Sequence, residues 1–375
     1  MKKLYKFWLL AIALLVFRYL LSIIVSYNFP SYTINEDRTV LNESSFLSER
    51  RPLYALSNIF NKGQSIHFVE IVVNGYSGET SKEGVFDNKS LYPLYPFILK
   101  SVYDFLPFVK NVEGIYFTGA ILSTIFLGLA LYYLDKFMDN IWLYEDQKYV
   151  VFILLLVFPG SFFFSLVYSE SLFLLLNVLF LYHLFQKKYF WSAIFLSLAI
   201  LTRAVGLIMI VPFLFYIFAT ERYNKKFNFV SKSVSYLTLA VLPLTIFYYN
   251  LFEKTGDFFA SIKAQQAIHG FLFIPFGYFF DLFNNLQQEM ILGYVLNAIV
   301  LIAALVLVGY LFVRVFLILE YKTLEQNTLF VYALVYILML SSLSSTSTMF
   351  RYLSVCLLLF LLPASIFYSL QVRSK

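Results

Sequence analysis

Two ionisable side chains, Glu170 and Arg203, lie in a stretch that otherwise has the composition of a lipid-embedded segment. The stretch begins with FPGSFFFSLVYSESLFLLL at Phe158 and ends with LTRAVGL at Leu207. A charge at the centre of a membrane helix costs roughly 2.5–3.5 kcal/mol, so it is usually paired, hydrated or used. An arginine in this setting suits phosphate, which a guanidinium binds through two hydrogen bonds. The sequence also allows Arg203 to pair with Glu170.

Each of these side chains also has a simpler explanation. Glu170 can stabilise the positive end of a helix dipole, with Ser169 or Ser171 as the cap. Arg203 can extend to the lipid headgroups from the interface. The tight LTRAVGL turn, in which Gly206 permits a close backbone approach, favours anion binding for Arg203.

Other polar residues are predicted to lie on the same side of the membrane as Glu170 and Arg203. Arg351, in TSTMFRYLS, fits an interfacial anchor and an anion-binding residue equally well. Gln265 lies in a loop whose charged residues are mostly expected to be solvated. His67 and Glu70 are spaced as neighbours on one helix face and resemble a metal-ligand pair. With three histidines in the chain, a histidine-rich metal site is not expected, no cofactor is expected, and a carboxylate-bound divalent cation stays an open alternative.

The composition indicates an all-α polytopic membrane protein. The 375 residues are 60% hydrophobic and only 13% charged, and the mean hydropathy is +0.75. Soluble domains are about 25% charged. The single cysteine, Cys356, excludes a disulfide framework. The basic, apolar N-terminus is interrupted by Arg18 and lacks a clear cleavage site, so we expect a retained first transmembrane helix rather than a signal peptide.

About ten membrane spans are expected from a requirement of roughly 20 mostly apolar residues per helix. The predicted spans are 7–27, 114–134, 149–166, 170–186, 189–202, 204–219, 233–252, 290–315, 328–343 and 352–370. The short runs 189–202 and 204–219 are separated only by Arg203, so they are two short helices or one broken helix.

Basic residues between the runs predict the orientation of the chain. They place both termini in the cytoplasm and leave segments 28–112 and 253–289 on the extracytoplasmic side of one integral-membrane domain, 1–375. Aromatic and apolar residues at helical spacing, followed by prolines 93, 96 and 107, predict one or two amphipathic helices at the membrane interface within 28–112. The 253–289 loop has a similar pattern. The compact chain leads us to expect a bacterial plasma membrane.

In this order, the motifs resemble the PIG-V family, which comprises GPI mannosyltransferase II and its bacterial membrane relatives. FPGSFFFSLVYSESLFLL and LTRAVGL resemble its core signature. HFVEIVVNGY, LYPLYP, TGDFFASIKAQQAI and MFRY follow the family's order. The resemblance spans about 66–365; each motif is weak alone, but the series is fairly specific.

The resemblance implies a GT-C fold, a multispanning glycosyltransferase with an extracytoplasmic active site and a polyprenyl-phosphate sugar as donor. In that scheme Arg203, with Arg351 as second candidate, binds the donor phosphate. Glu170 orients the sugar or the arginine. The motifs also contribute Tyr76, Tyr168 and Gln265 as site candidates.

The chain departs from the family at the expected catalytic carboxylate. Relatives carry Trp-Asp shortly before the stretch matching HFVEIVVNGY, and these positions fall on Gly63 and Gln64. A glutamine cannot act as a carboxylate base. Either Glu70 or another outer acid (Glu79 or Asp87) replaces it, or transfer activity is lost.

Three classes of function follow. The first is a membrane glycosyltransferase that moves a hexose, for example mannose, to an extracytoplasmic glycan, lipid or protein. The second is a catalytically degenerate GT-C scaffold that binds a lipid-linked sugar or a partner in envelope glycan assembly. The third, a secondary transporter, predicts charges near the bilayer midplane, whereas the charges here cluster at helix ends. The partners expected are the bilayer and a polyprenyl-phosphate sugar, not nucleic acid.

Overall fold

The computed structural model describes residues 4–28, 63–77, 87–106, 111–141, 145–223, 229–269, 277, 291–312, 323–342, 349–357 and 360–361. The α-helices in these ranges are α1 (Leu4–Asn28), α2 (Gln64–Asn74), α3 (Leu94–Phe105), α4 (Val112–Asn140), α5 (Glu145–Val157), α6 (Glu170–Phe185), α7 (Tyr189–Thr202), α8 (Ile210–Tyr223), α9 (Phe229–Thr255), α10 (Ala260–His269), α11 (Ile291–Phe312), α12 (Leu324–Ser341) and α13 (Met349–Leu353). Short 3₁₀ segments cover Asn88–Ser90, Pro159–Ser165 and Ala204–Met209.

Within the described residues, four helical segments are long and apolar enough to cross a membrane: Val112–Asn140, Ala204–Glu221, Val230–Thr255 and Leu324–Ser341. The pair Glu145–Val157 and Pro159–Ser165 adds a fifth if it counts as one span. These helices support a polytopic membrane protein. The predicted number of ten spans is not confirmed, and most of the predicted span 352–370 lies outside the described residues.

Helix α6 is the central helix of the fold. Its sequence is apolar on every face, which is the pattern of a helix surrounded by protein or lipid. It packs mainly against α4 on one side and α7 on the other, and α7 in turn packs against α9. Glu170 is the first residue of α6, so the position of the central helix fixes the position of this carboxylate.

An irregular segment leads into α6. The 3₁₀ helix Pro159–Ser165 bends by 79° relative to α5, and the Pro-Gly pair at its start explains the break. From α1, Arg18 donates one hydrogen bond to Ser165 Oγ at 2.6 Å and another to Ser161 Oγ at 2.9 Å. Arg18, which interrupts the first predicted span, therefore links α1 to the segment that precedes α6.

The helical run 189–219 is interrupted at Arg203, so the predicted segments 189–202 and 204–219 are separate helices. Helix α7 ends at Thr202, Arg203 has an extended backbone (φ −155°, ψ 143°), and a 3₁₀ turn leads into α8. A Cβ at Gly206 would lie 2.7 Å from the backbone of Ala199, so the turn requires glycine. The predicted close backbone approach at Gly206 is confirmed.

Segment 28–112 contains helices, as predicted. Helices α2 and α3 and the 3₁₀ turn Asn88–Ser90 all lie within 28–112. Helix α10, from the 253–289 loop, packs against the turn Asn88–Ser90. Their location at the membrane interface and the side of the membrane that they occupy stay predictions.

Candidate functional site

A buried carboxylate bound by two arginines forms the centre of the candidate site. Glu170 has no exposed surface, and its Oε1 accepts hydrogen bonds from Arg203 Nη1 and from Arg351 Nε. Arg203 comes from the break after α7 and Arg351 from α13, 181 residues beyond Glu170. Among the described residues, the second carboxylate oxygen, Oε2, has no hydrogen-bond partner. One negative and two positive charges leave this cluster with a net charge of +1.

Aromatic rings cover both arginines. The guanidinium carbon of Arg203 lies 4.9 Å from the ring centroid of Tyr352, and that of Arg351 lies 4.5 Å from the ring centroid of Tyr168. These are cation–π distances, and such contacts strengthen where water is excluded. The two arginines are 7% and 4% exposed, so their orientation is fixed by protein contacts rather than by solvent.

The Gly63-Gln64 pair lies directly against this cluster. Gln64 Oε1 accepts a hydrogen bond from Arg351 Nη2 at 2.6 Å, and the Gln64 backbone N–H donates to the Tyr168 hydroxyl at 3.1 Å. Gly63 has φ +58°, and a Cβ there would lie 2.6 Å from the Tyr168 hydroxyl oxygen. The backbone at position 63 therefore suits glycine and has no room for the tryptophan expected from the resemblance.

A cleft of about 610 Å³, part of it open to solvent, lies beside the arginines. Its polar lining comes from Gln64, Ser90, Tyr92, Ser169, Thr202, Arg203, Gln265, Arg351 and Tyr352. The lining combines the two arginines with neutral hydrogen-bonding groups, here called the neutral wall, which are Gln64, Ser90, Tyr92 and Gln265. This composition suits a ligand with one anionic end.

The neutral wall is held together by its own hydrogen bonds. Gln265 Nε2 donates to the Ser90 carbonyl oxygen at 3.1 Å, which joins α10 to the turn Asn88–Ser90. The hydroxyl groups of Tyr92 and Tyr248 are 3.1 Å apart. Burial, aided by the Tyr248 hydroxyl, raises the pKa of Tyr92 far above its ordinary value. Tyr92 is therefore a neutral phenol, suited to hydrogen bonding rather than to proton abstraction.

The cleft brings together six of the predicted site residues. Gln64, Arg203, Gln265 and Arg351 line it, Glu170 lies beneath it, and Tyr168 stacks on Arg351. The 287-residue separation between Gln64 and Arg351 shows that the fold, rather than any local motif, assembles the cluster.

Three predicted candidates do not line the cleft, and each has a structural partner instead. Glu70 pairs with His67, whose Nδ1 is 3.2 Å from Glu70 Oε2. Tyr76 donates to the Leu91 carbonyl oxygen at 3.1 Å. Asp87 caps the turn Asn88–Ser90 and lies 2.8 Å from the Lys89 ammonium. Their proposed site roles receive no support from the geometry, and Glu79 lies outside the described residues.

Several further residues line the cleft for which the sequence predicts no function. These are Ser90, Tyr92, Thr202 and Tyr352. Tyr92 lies within LYPLYP and Tyr352 within MFRY. These two motifs therefore indicate the right regions of the chain but not which residue in each lines the cleft. Among the described residues, no group of three His, Cys, Asp or Glu side chains is placed to hold a metal ion.

Comparison with known proteins gives one informative similarity. The chain is 28% identical over 218 residues to a protein named GPI mannosyltransferase 2 from Schizosaccharomyces pombe. The aligned region covers 55% of this chain and 45% of that protein, so the match spans less than half of the relative's length. No family model matches the sequence, and no solved structure matches it.

Proposed function

We propose that this protein is a membrane glycosyltransferase of GT-C architecture that transfers a hexose, for which mannose is the first candidate, from a polyprenyl-phosphate donor to an extracytoplasmic acceptor. The observation that carries the proposal is the pair of buried arginines, Arg203 and Arg351, held by Glu170 at the wall of the cleft. The similarity to a protein named GPI mannosyltransferase 2 supports the choice of sugar. The predicted orientation of the helices puts the cleft on the extracytoplasmic side.

The arginine pair has the chemistry that a lipid-phosphate leaving group requires. A guanidinium carries five N–H donors in a fixed plane. Glu170 uses one N–H of each arginine and Gln64 uses another of Arg351, so donors remain on both for a ligand in the cleft. The donors are preorganised by Glu170 and the aromatic rings, so little reorganisation is needed as charge develops on the phosphate.

The transfer breaks one bond and forms one. An acceptor hydroxyl oxygen attacks the anomeric carbon, and the bond from that carbon to the phosphate oxygen breaks with its electron pair on the phosphate. Arg203 and Arg351 stabilise the resulting charge. The acceptor proton must pass to a base. Glu70 stays the prediction for that role among the described residues, although it faces His67 rather than the cleft.

A second candidate function is favoured by one observation. No aspartate or glutamate lines the cleft within the part of the chain that the structure describes, and Gln64 occupies the position expected for the catalytic acid. A scaffold that binds a lipid-linked sugar without transferring it needs the arginines but not the base. Both functions share the donor site and differ only in turnover.

A transfer assay tests the proposal. The purified protein is placed in vesicles with radiolabelled polyprenyl-phosphate mannose and an extracted envelope lipid and glycan fraction, and the transfer of labelled mannose is measured. We expect the wild-type protein to move label into an acceptor, and protein-free vesicles to move none. The variant Gln64→Asp separates the two functions, because it supplies a carboxylate beside Arg351. An inactive wild type with an active Gln64→Asp variant would establish the binding scaffold and refute the transferase.

A further inference from the structure

The amide of Gln64 has its orientation fixed by Arg351. A guanidinium has only donors, so the amide group that lies 2.6 Å from Arg351 Nη2 must be the oxygen. The amide NH₂ group of Gln64 is therefore turned away from the arginine. Gln64 lines the cleft, and in the described part of the chain its hydrogen bonds to Arg351 and Tyr168 use the amide oxygen and the backbone N–H rather than this NH₂ group. Gln64 thus offers hydrogen-bond donors to a ligand.

The amide of Gln265 has the opposite orientation. A backbone carbonyl oxygen only accepts, so the amide nitrogen of Gln265 must face the Ser90 carbonyl at 3.1 Å. Because the hydrogen bond to Ser90 uses the amide nitrogen, the amide oxygen of Gln265 is turned away from that carbonyl, and Gln265 also lines the cleft. This glutamine offers a hydrogen-bond acceptor.

One donor and one acceptor in a neutral wall match a pair of hydroxyl groups, because each hydroxyl both donates and accepts. An ammonium group would find no carboxylate on the described lining of the cleft and would meet the net positive charge of the arginine cluster.

We infer that Gln64 and Gln265 form the sugar subsite of the cleft and bind two hydroxyl groups of an uncharged hexose whose phosphate is held by Arg203 and Arg351. This inference rests on the proposed donor class and adds its sugar-recognition element. It also gives position 64 a role in binding: the glutamine that replaces the expected acid holds Arg351 through its oxygen and the sugar through its nitrogen.

Gln265→Met tests the subsite, because methionine keeps the length of the side chain and removes its hydrogen bonds. The measurement is the dissociation constant of the purified protein in lipid nanodiscs for polyprenyl-phosphate mannose and for sugar-free polyprenyl phosphate. Loss of a neutral hydrogen bond typically weakens binding by about threefold to tenfold. We expect that loss for the mannose-bearing lipid and an unchanged dissociation constant for the sugar-free lipid. A polyprenyl-phosphate amino sugar should bind wild type more weakly than the mannose lipid does.

The neighbouring glutamine provides a matched control. Gln266 lies next to Gln265 on α10 but is exposed and does not line the cleft, so Gln266→Met should leave both dissociation constants unchanged. Equal effects of Gln265→Met on the two lipids, or no effect on either, would overturn the sugar subsite and leave the proposed function standing. A wild-type protein that binds neither lipid would refute both.

Discussion

Arg203→Ala is expected to lower the rate of sugar transfer by about 100-fold to 1,000-fold, the usual cost of removing one preorganised donor from a developing oxyanion. The protein should stay folded, because Arg351 continues to neutralise Glu170. Arg203→Lys keeps the charge but loses the planar pair of donors, so its activity should fall between wild type and alanine. Initial rates of label transfer from polyprenyl-phosphate mannose, with matched amounts of folded protein, measure the effect.

Lys136→Ala is the control for general effects of removing a positive charge. Lys136 lies near the far end of α4 from the cleft, over the ring of Tyr132 at 4.4 Å, and contacts none of the cluster. Its loss should leave the transfer rate within twofold of wild type, as expected for a remote site. Full activity in Arg203→Ala would remove this arginine from the donor site.

Glu170→Ala is expected to destabilise the fold by about 3–5 kcal/mol, because it leaves two buried arginines without their shared counter-ion. Thermal unfolding in detergent, followed by tryptophan fluorescence, measures the loss as a lower midpoint temperature. The double variant Glu170→Met with Arg351→Met should recover part of the loss, since apolar side chains replace a buried ion pair well.

Glu253→Ala provides the comparison for loss of a carboxylate at an exposed position. Glu253 lies near the end of α9 and its side chain is exposed, so its removal should change the unfolding midpoint little. If Glu170→Ala unfolded at the same temperature as Glu253→Ala, the carboxylate would not be the electrostatic centre of the site.

The positions of most helices follow directly from the apolar runs in the sequence. The predicted segments 170–186 and 189–202 correspond to α6 and α7 within one residue at each end, because Glu170, Lys187 and Arg203 are strong boundary signals in apolar sequence. The turn at Gly206 was also predictable, since a small residue is needed where two backbones meet. Hydropathy alone did not reveal the 79° bend after α5 or the 3₁₀ form of Ala204–Met209.

The composition of the site was only partly predictable. Arg203 and Glu170 drew attention because charge is rare in apolar segments, and this argument needs no knowledge of the fold. The contact between Gln64 and Arg351 joins residues 287 positions apart, which no local pattern specifies. The acidity of Glu70 and its position within HFVEIVVNGY predict a base, but its i, i+3 spacing on α2 pairs it with His67. The charged members of the site can therefore be predicted from residue type in an apolar segment, whereas a neutral partner such as Gln64 depends on tertiary packing.

Saturation binding of labelled polyprenyl-phosphate mannose to the purified protein in nanodiscs tests the central claim, that the arginine pair holds the phosphate of a lipid-linked sugar. Arg203→Gln is the informative variant, because glutamine can still donate a hydrogen bond to Glu170 but carries no charge. We predict saturable binding by the wild-type protein and binding at least tenfold weaker in Arg203→Gln, as expected when a charged hydrogen bond of about 1.5–3 kcal/mol is lost. Equal affinity of the two proteins, or no binding by the wild type, would contradict the claim.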